Sequence, residues 1–277
     1  MINRWIVGKL AEAAQATTAA IEAYRFNDAA GTLYQFTWGM FCDWYVEFVK
    51  PILEGDDAGA KAETRATAGW VLDQVLHLLH PVIPFVTEEL WEKLSDARPG
   101  SLMLSPWPEL DGAFVDAEVN AEMDWVVRLI SQIRTVRAEM NVPPGAKIPL
   151  LLKGAGKSAQ SRLAVHRDLI ERLARLSGTD LLDGQAPKGA VQDVIEEATI
   201  VLPIADVIDV AAEQARLEKE IGKLDGEVAR FEKKLGNEKF VANAPTEVVE
   251  TERERLEDAR SARVKLNEAR QRLMAAR

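Results

Sequence analysis

Six apolar residues near the end of the chain, Leu217, Ile221, Leu224, Val228, Phe231 and Leu235, follow one another at steps of 4, 3, 4, 3 and 4. That alternation keeps an apolar seam on one side of a helix and calls for a second helix to cover it. A candidate cover stands in the same chain. After a short non-periodic stretch, 238–245, comes a second charged run with Val249, Leu256, Ala259, Leu266 and Leu273. Two such helices joined by a short connection are expected to fold back as an antiparallel hairpin. At about 1.5 Å per residue, the span 209–237 would reach roughly 40 Å. Gly222, Gly226 and Gly236 interrupt it, each at about 1 kcal/mol relative to Ala, so bends or frayed turns are expected there.

The 277 residues leave room for roughly two domains at about 100 to 200 residues each. With 47% hydrophobic residues there is material for a core. No apolar run approaches the roughly 18 residues of a membrane span, and the start, Met1-Ile2-Asn3-Arg4-Trp5, lacks the pattern of a secretory signal. A single cysteine, Cys42, cannot form an internal disulfide, so a cytoplasmic location is expected. The net charge of -10 argues against a nucleic-acid partner. Its distribution argues the other way. Residues 209–277 hold 15 Lys and Arg against 15 Asp and Glu, so the first 208 residues carry the whole acidic excess. Within 260–277, Arg260, Arg263, Lys265, Arg270, Arg272 and Arg277 face one acidic residue, Glu268. Two readings stand at this point: the solvated faces of a coiled coil, or a basic stripe hidden by the bulk charge.

Before the rod, the chain reads as five helices. The first spans 3–22, with Trp5, Ile6, Leu10, Ala13 and Ile21 at helical spacing. After a turn, Asn27 or Asp28 is expected to cap a second helix, rich in Phe, Trp and Tyr, that Pro51 ends. Residues 53–62 read as a polar loop, and a third helix over 63–80 turns Val71, Leu72, Val75, Leu76 and Leu79 inward. A fourth helix is expected to start near Thr87 as its cap, with Glu88 and Glu89 at the positive end of its dipole, and Arg98-Pro99-Gly100 closes it. A fifth, 116–140, places Met123, Val126, Val127, Ile130, Ile133 and Val136 at core spacing. Beyond Asn141 the signal changes. Short apolar segments at 147–153 and 197–204, a helix over 158–176 and a hairpin partner around 191–195 predict a small α+β unit.

Nothing in this pattern resembles a catalytic centre: there is no phosphate-cradling glycine loop, no Gly-x-Ser-x-Gly elbow and no cysteine cluster. His77 and His80 have a spacing that can serve a metal, as a metal hydrolase would need, yet no third ligand stands near and no metal site is expected. The segment Phe41-Cys42-Asp43-Trp44-Tyr45 sets flat rings beside a carboxylate able to accept from base amino groups. Such a set reads single-stranded RNA, and it equally fills a core. Arg128, Arg134 and Arg137 can meet phosphates or pair with surface carboxylates.

At these residues the chain resembles a known family. Tyr24-Arg25-Phe26-Asn27, the Phe41 to Tyr45 segment and His80-Pro81-Val82-Ile83-Pro84-Phe85-Val86-Thr87-Glu88-Glu89-Leu90-Trp91 are similar to the anticodon-binding bundle of the class I aminoacyl-tRNA synthetases for branched aliphatic amino acids, in the form of the bacterial valyl branch. Ile133-Arg134-Thr135-Val136-Arg137-Ala138-Glu139-Met140-Asn141-Val142-Pro143-Pro144 resembles that family's join to a linker domain, with Thr135 where the family often has Asn. Leu235-Gly236-Asn237-Glu238-Lys239-Phe240-Val241-Ala242-Asn243-Ala244-Pro245 matches the turn of its coiled-coil arm. The single cysteine argues against the isoleucyl branch, whose bacterial form typically ends in a cysteine-rich zinc module. The family's two catalytic signatures, of the His-Ile-Gly-His and Lys-Met-Ser-Lys-Ser kinds, do not occur. The chain is therefore expected to be a carboxy-terminal segment that does not activate valine alone, with no cofactor of its own, ATP and magnesium belonging to the catalytic domain.

The expected fold is mainly α: an up-and-down helical bundle (1–140), a small α+β linker domain (141–208) and an antiparallel coiled-coil hairpin (209–277). The resemblance implies that the bundle grips the anticodon stem-loop of a tRNA for valine through Phe41, Asp43, Trp44, Arg134 and Arg137. It implies that the arm, through Lys239, Phe240, Arg263 and Arg270, meets the outer corner of the tRNA. A monomer is expected, away from membranes. The rival expectation from another class is a protein-interaction coiled coil on a helical scaffold, without RNA.

Overall fold

The computed structural model describes residues 1–196 and 198–275. Glu197, the first residue of the expected 197–204 strand, and Arg277, the last of the basic run, lie outside the described residues. The chain divides into two compact units, 1–127 and 128–277.

The first unit is helical: α1 (Ile2–Glu22), α2 (Phe26–Tyr34), a π-helical segment (Gln35–Tyr45), α3 (Val46–Glu54), α4 (Ala58–Leu79), α5 (Pro84–Leu94) and the start of α6 (Ala117–Glu139). Helix α1 packs on α2, the π segment and α4. It buries Trp5, Ile6 and Leu10 completely, among Leu33, Phe48, Val71, Leu78 and Trp125. Burying side chains of this size contributes about 1.5 to 3 kcal/mol each, which outweighs the modest intrinsic helix propensity of such segments. The polar ends of the buried rings are satisfied, as the low dielectric requires: Trp5 Nε1 donates to Asp124 at 3.1 Å and Tyr45 Oη to Asn3 at 3.0 Å. Burial, and then the charge of Glu63, push the Tyr45 hydroxyl up to about 12.

Several expected boundaries move. Neither Asn27 nor Asp28 caps α2; its N-cap is Arg25, and Asp28 sits inside the first turn, ion-paired to Arg25 at 3.1 Å. Pro51 lies within α3 instead of ending it. It removes one donor, but only one more turn follows, and the Gly55 N–H closes that turn onto the Pro51 carbonyl at 2.9 Å. The polar stretch before α4 is largely helix, because Asp57 accepts from the Ala60 N–H at 3.0 Å and starts the helix at Ala58. Thr87 caps nothing. Pro84 opens α5, and the buried Thr87 hydroxyl donates back toward the Ile83 and Pro84 carbonyls. Glu88 instead ties down the next loop, accepting from the Ser101 hydroxyl and the Leu102 N–H at 2.8 and 2.7 Å.

The second unit contains a four-stranded sheet in the order β2-β1-β4-β3, formed by β1 (Ile148–Lys153), β2 (Leu176–Leu182), β3 (Ala190–Ile195) and β4 (Ala198–Pro203). Strand β1 runs parallel to β2 and antiparallel to β4, and β3 and β4 form the antiparallel pair expected from sequence. The single helix expected over 158–176 is two helices, α7 (Lys157–Val165) and α8 (Arg167–Ala174), broken at the buried His166, and its tail is strand β2. Arg175, left-handed at φ 53°, makes that switch. Gly189 is required where it stands: its φ is +76°, and a Cβ there would come within 2.3 Å of the Ala205 Cβ.

The rod is α9 (Val210–Leu235), a short α10 (Glu238–Asn243) and α11 (Thr246–Ala275). Asp209 caps α9 by accepting from Ala211 and Ala212, and the helix runs unbroken through Gly222 and Gly226. The seam is buried as its spacing predicts, with Val228, Phe231 and Ala259 packed together and Leu224 and Leu256 at their edges. Ion pairs Lys234–Glu252, Arg260–Glu232 and Arg263–Asp225 step backwards along one helix as they advance along the other, which fixes the antiparallel sense. The stretch expected to be non-periodic holds one helical turn and a half, capped by Asn237.

Candidate nucleic-acid interface

On the first unit the candidate surface is built on the π-helical segment. A wider i→i+5 turn re-aims side chains relative to an α-helix, and such segments recur at functional sites. Phe41 is half-buried and stacks on Tyr45, their centroids 5.5 Å apart at 26°. Trp44 is half-buried against Phe48 at 5.6 Å. Each ring therefore spends part of its surface on the core. Asp43 between them is exposed. The larger exposed aromatic area lies on residues not among the expected site residues: Tyr34 and Trp38 are 66% and 58% exposed, and Tyr24 and Phe26 meet edge to face at 6.2 Å with 82% and 61% exposure. The signal for the latter pair was the turn at 24–27, where Tyr24 adopts a left-handed φ of 57° and throws its ring outward.

The arginines of α6 belong to the second unit and divide in role. Arg128 is exposed and paired with Glu196 at 2.5 Å. Arg134 is exposed, and its Nε donates to the Leu173 carbonyl at 3.0 Å. Arg137, expected at an RNA surface, is buried at 7% exposure and donates to the carbonyls of Ala146, Arg175 and Pro143 at 2.8, 3.3 and 3.4 Å. Burial, and then the nearby Arg175, pull its guanidinium below its usual value. It stitches three backbone segments together, with its hydrogens turned inward.

On the arm, the short helix α10 presents an exposed Lys239, and Phe240 lies under Lys234, whose Nζ is 4.9 Å from the ring centre. Arg263 pairs with Asp225 across the hairpin at 3.1 Å. Arg270 is half-buried, its Nε without a hydrogen-bond partner among the described residues. The stripe on α11 is thus partly neutralised by acidic residues of α9.

Of the two candidate ligands for a metal, His77 meets the Asp73 carbonyl at 2.8 Å and sets its ring edge-on to Trp91, and His80 meets the Thr87 hydroxyl at 2.8 Å. Both are absorbed in local packing. No helix among the described residues is long and apolar enough to cross a membrane.

Residues 3–152 match the family described as the anticodon-binding domain of tRNA ligase, and residues 209–274 match the valyl tRNA synthetase tRNA binding arm. The valine–tRNA ligase of Caulobacter vibrioides is 53% identical over 275 residues, covering 98% of this chain and 30% of its own length. Those of Brucella suis and Agrobacterium fabrum are 51% identical over 278 and 260 residues, covering 99% and 92% of this chain and 30% and 27% of their own lengths. The chain thus spans about 30% of the length of the curated relatives it matches. With one match running from the bundle to the first strand and the other along the arm, the chain belongs to the anticodon-binding family of tRNA ligases and carries the tRNA binding arm of the valyl tRNA synthetases.

Proposed function

We propose that this chain is the RNA-gripping part of a valine–tRNA ligase, taking the anticodon stem-loop with the helical bundle and the outer corner of the tRNA with the arm. The observation that carries the reading is the presence on one chain of two RNA-binding family matches, the second over a hairpin long enough to bridge separate parts of a tRNA. On the bundle, Asp43 with the half-exposed faces of Phe41 and Trp44 would specify by stacking and hydrogen bonding. Arg134, Lys239, Phe240, Arg263 and Arg270 would position the RNA, chiefly through phosphates. Arg137 serves the proposal as scaffold, tying the linker segments at 143–146 and 175 to α6. The partner is a tRNA for valine, bound by a monomeric cytoplasmic chain. ATP and magnesium act in the part of the relatives that this chain does not span.

Titration of the full chain with valine tRNA tests the reading, using one RNA with the native anticodon loop and one with that loop replaced. Tighter binding of the native RNA is expected, with an affinity that falls steeply as salt rises. Equal affinity for both would sink anticodon reading, and no binding at low salt would sink the function. The rival, a protein-interaction scaffold, predicts that deleting 210–275 changes association state and leaves RNA affinity untouched.

A further inference from the structure

The base of the arm converges on one residue. Glu139 ends α6, where the last carbonyls of a helix lack partners and the dipole is negative, a place suited to cations. Two arginines from the two different helices of the arm meet it. Arg272, in the last turns of α11, donates to Glu139 Oε2 at 2.5 Å, and its other terminal nitrogen lies 3.8 Å from Asp193 on β3. Arg216, in the second turn of α9, donates to the Glu139 backbone carbonyl at 3.4 Å while gripping the buried Glu213. Around them Ala269 and Leu273 are fully buried, and α11 packs on β3. Burial pushes the Glu139 carboxyl up while Arg272 pulls it down, so removing the arginine would leave a poorly solvated carboxylate at the joint.

We propose that Arg272, with Glu139 as its anchor, is a positioning residue that sets the direction in which the arm meets RNA. The inference rests on the tRNA-binding reading given above. One attachment would leave a hinge, whereas two, one from each helix, fix an orientation. The need for it is geometric. Lys239 lies 23 residues beyond Arg216, so the tip stands about 35 Å from the joint, and a tilt of about 10° there moves it by roughly 6 Å, beyond hydrogen-bond reach. A second binding element on one chain adds affinity only where geometry lets it engage together with the first.

The full chain with Cys42→Ser, spin-labelled through Asn243→Cys at the tip and Asp180→Cys on β2, reports the arm's direction as a distance distribution. Arg272→Met is expected to broaden that distribution by roughly 6 Å, and to weaken binding of valine tRNA about tenfold. Arg272→Lys keeps the charge and should recover the narrow distribution and most of the affinity, an outcome that a loss of packing alone would not give. Should Arg272→Met fail to fold, Glu139→Gln removes the charge from the other side while keeping an acceptor. An unchanged distribution overturns the latch. A broadened distribution with unchanged affinity overturns its positioning role. Failure of the tRNA-binding reading is seen separately, as no binding by the unsubstituted chain at low salt, and the distance distributions still decide the latch.

Discussion

Replacing Arg98 by Met should cost the first unit about 3 kcal/mol, although Arg98 stands in a surface loop. Its guanidinium makes two parallel bonds to Asp73, at 2.8 and 2.7 Å, its Nε donates to the Trp91 carbonyl at 2.9 Å, and its plane lies 3.7 Å over the Trp91 ring. The pair is only partly screened, with side-chain exposures of 15% and 30%, and the hydrogen bond to Asp73 raises the guanidinium further above its already high value. The Nε bond contributes about 1 kcal/mol and the stacked cation about another, with about 1 to 2 kcal/mol from a bidentate pair of this exposure. Methionine refills part of the volume, which brings the loss back to about 3 kcal/mol. Urea denaturation, followed through a tryptophan signal of the first unit, measures it. The variant Asp73→Asn should cost about half as much, and the double-mutant cycle should return a coupling of about 1 to 2 kcal/mol. A loss below about 0.5 kcal/mol for Arg98→Met, the range of ordinary surface substitutions, would refute the reasoning.

Two further perturbations act at other levels. Gly226→Ala should stabilise α9 by about 1 kcal/mol, because the glycine sits in helical backbone with open space where a Cβ would point; a lower midpoint for the thermal transition of the second unit would contradict it. Acidification should release the loop after α5. Hydrogen bonds from the Ser101 hydroxyl, and then from the Leu102 and Met103 N–H groups, hold the Glu88 carboxyl below its usual value. The tether is therefore complete above the unfolded carboxyl value and is lost as pH falls through the lower folded one. The amide resonances of Leu102 and Met103 should titrate with a midpoint below that of an ordinary glutamate, and Glu88→Gln should abolish the step; a midpoint at or above the ordinary glutamate value would mean that the tether does not hold.

What the chain disclosed about its fold follows how local each decision is. The seam from Leu217 to Leu235 and the core face of α6, Met123, Val126, Ile130, Ile133 and Val136, are periodic, and their burial needs only a partner of matching period. Strand β2 is different. Its sequence, Leu176-Ser-Gly-Thr-Asp-Leu-Leu, alternates poorly, and what makes it a strand is parallel pairing with β1, placing Leu150 beside Thr179. The start of α4 was hidden because Asp57 and Gly59 are loop residues by composition, while Asp57 acts as a cap by position. The π-helical segment has no period of its own in a pattern read for 3.6-residue turns. Its exposed Trp38, and Tyr34 just before it at the end of α2, consequently look like core, and the half-buried Phe41 and Trp44 look like a site.

The charged residues mark the same limit from the other side. Residue type supplies the cation, but only the fold supplies its partner, and the partner decides what the cation can do. Arg134 and Arg137 stand three apart on one helix, yet Arg134 lies at the surface and Arg137 is sealed by carbonyls from residues 143, 146 and 175, which no helical wheel brings together. Along α11, Arg260 and Arg263 are matched by Glu232 and Asp225 of the facing helix, so a stripe that looks basic in one dimension is partly neutralised in three. Arg272 is by sequence only one more basic residue of that stripe; its carboxylates belong to α6 and β3 and are more buried than the partners of Arg260 and Arg263, and that makes it a joint. Affinity for RNA should then depend on the arm in two separable ways: through phosphate-facing cations such as Lys239 on α10, whose loss flattens the salt dependence of binding, and through Arg272 at the base of α11, whose loss weakens binding while leaving the number of those phosphate contacts unchanged.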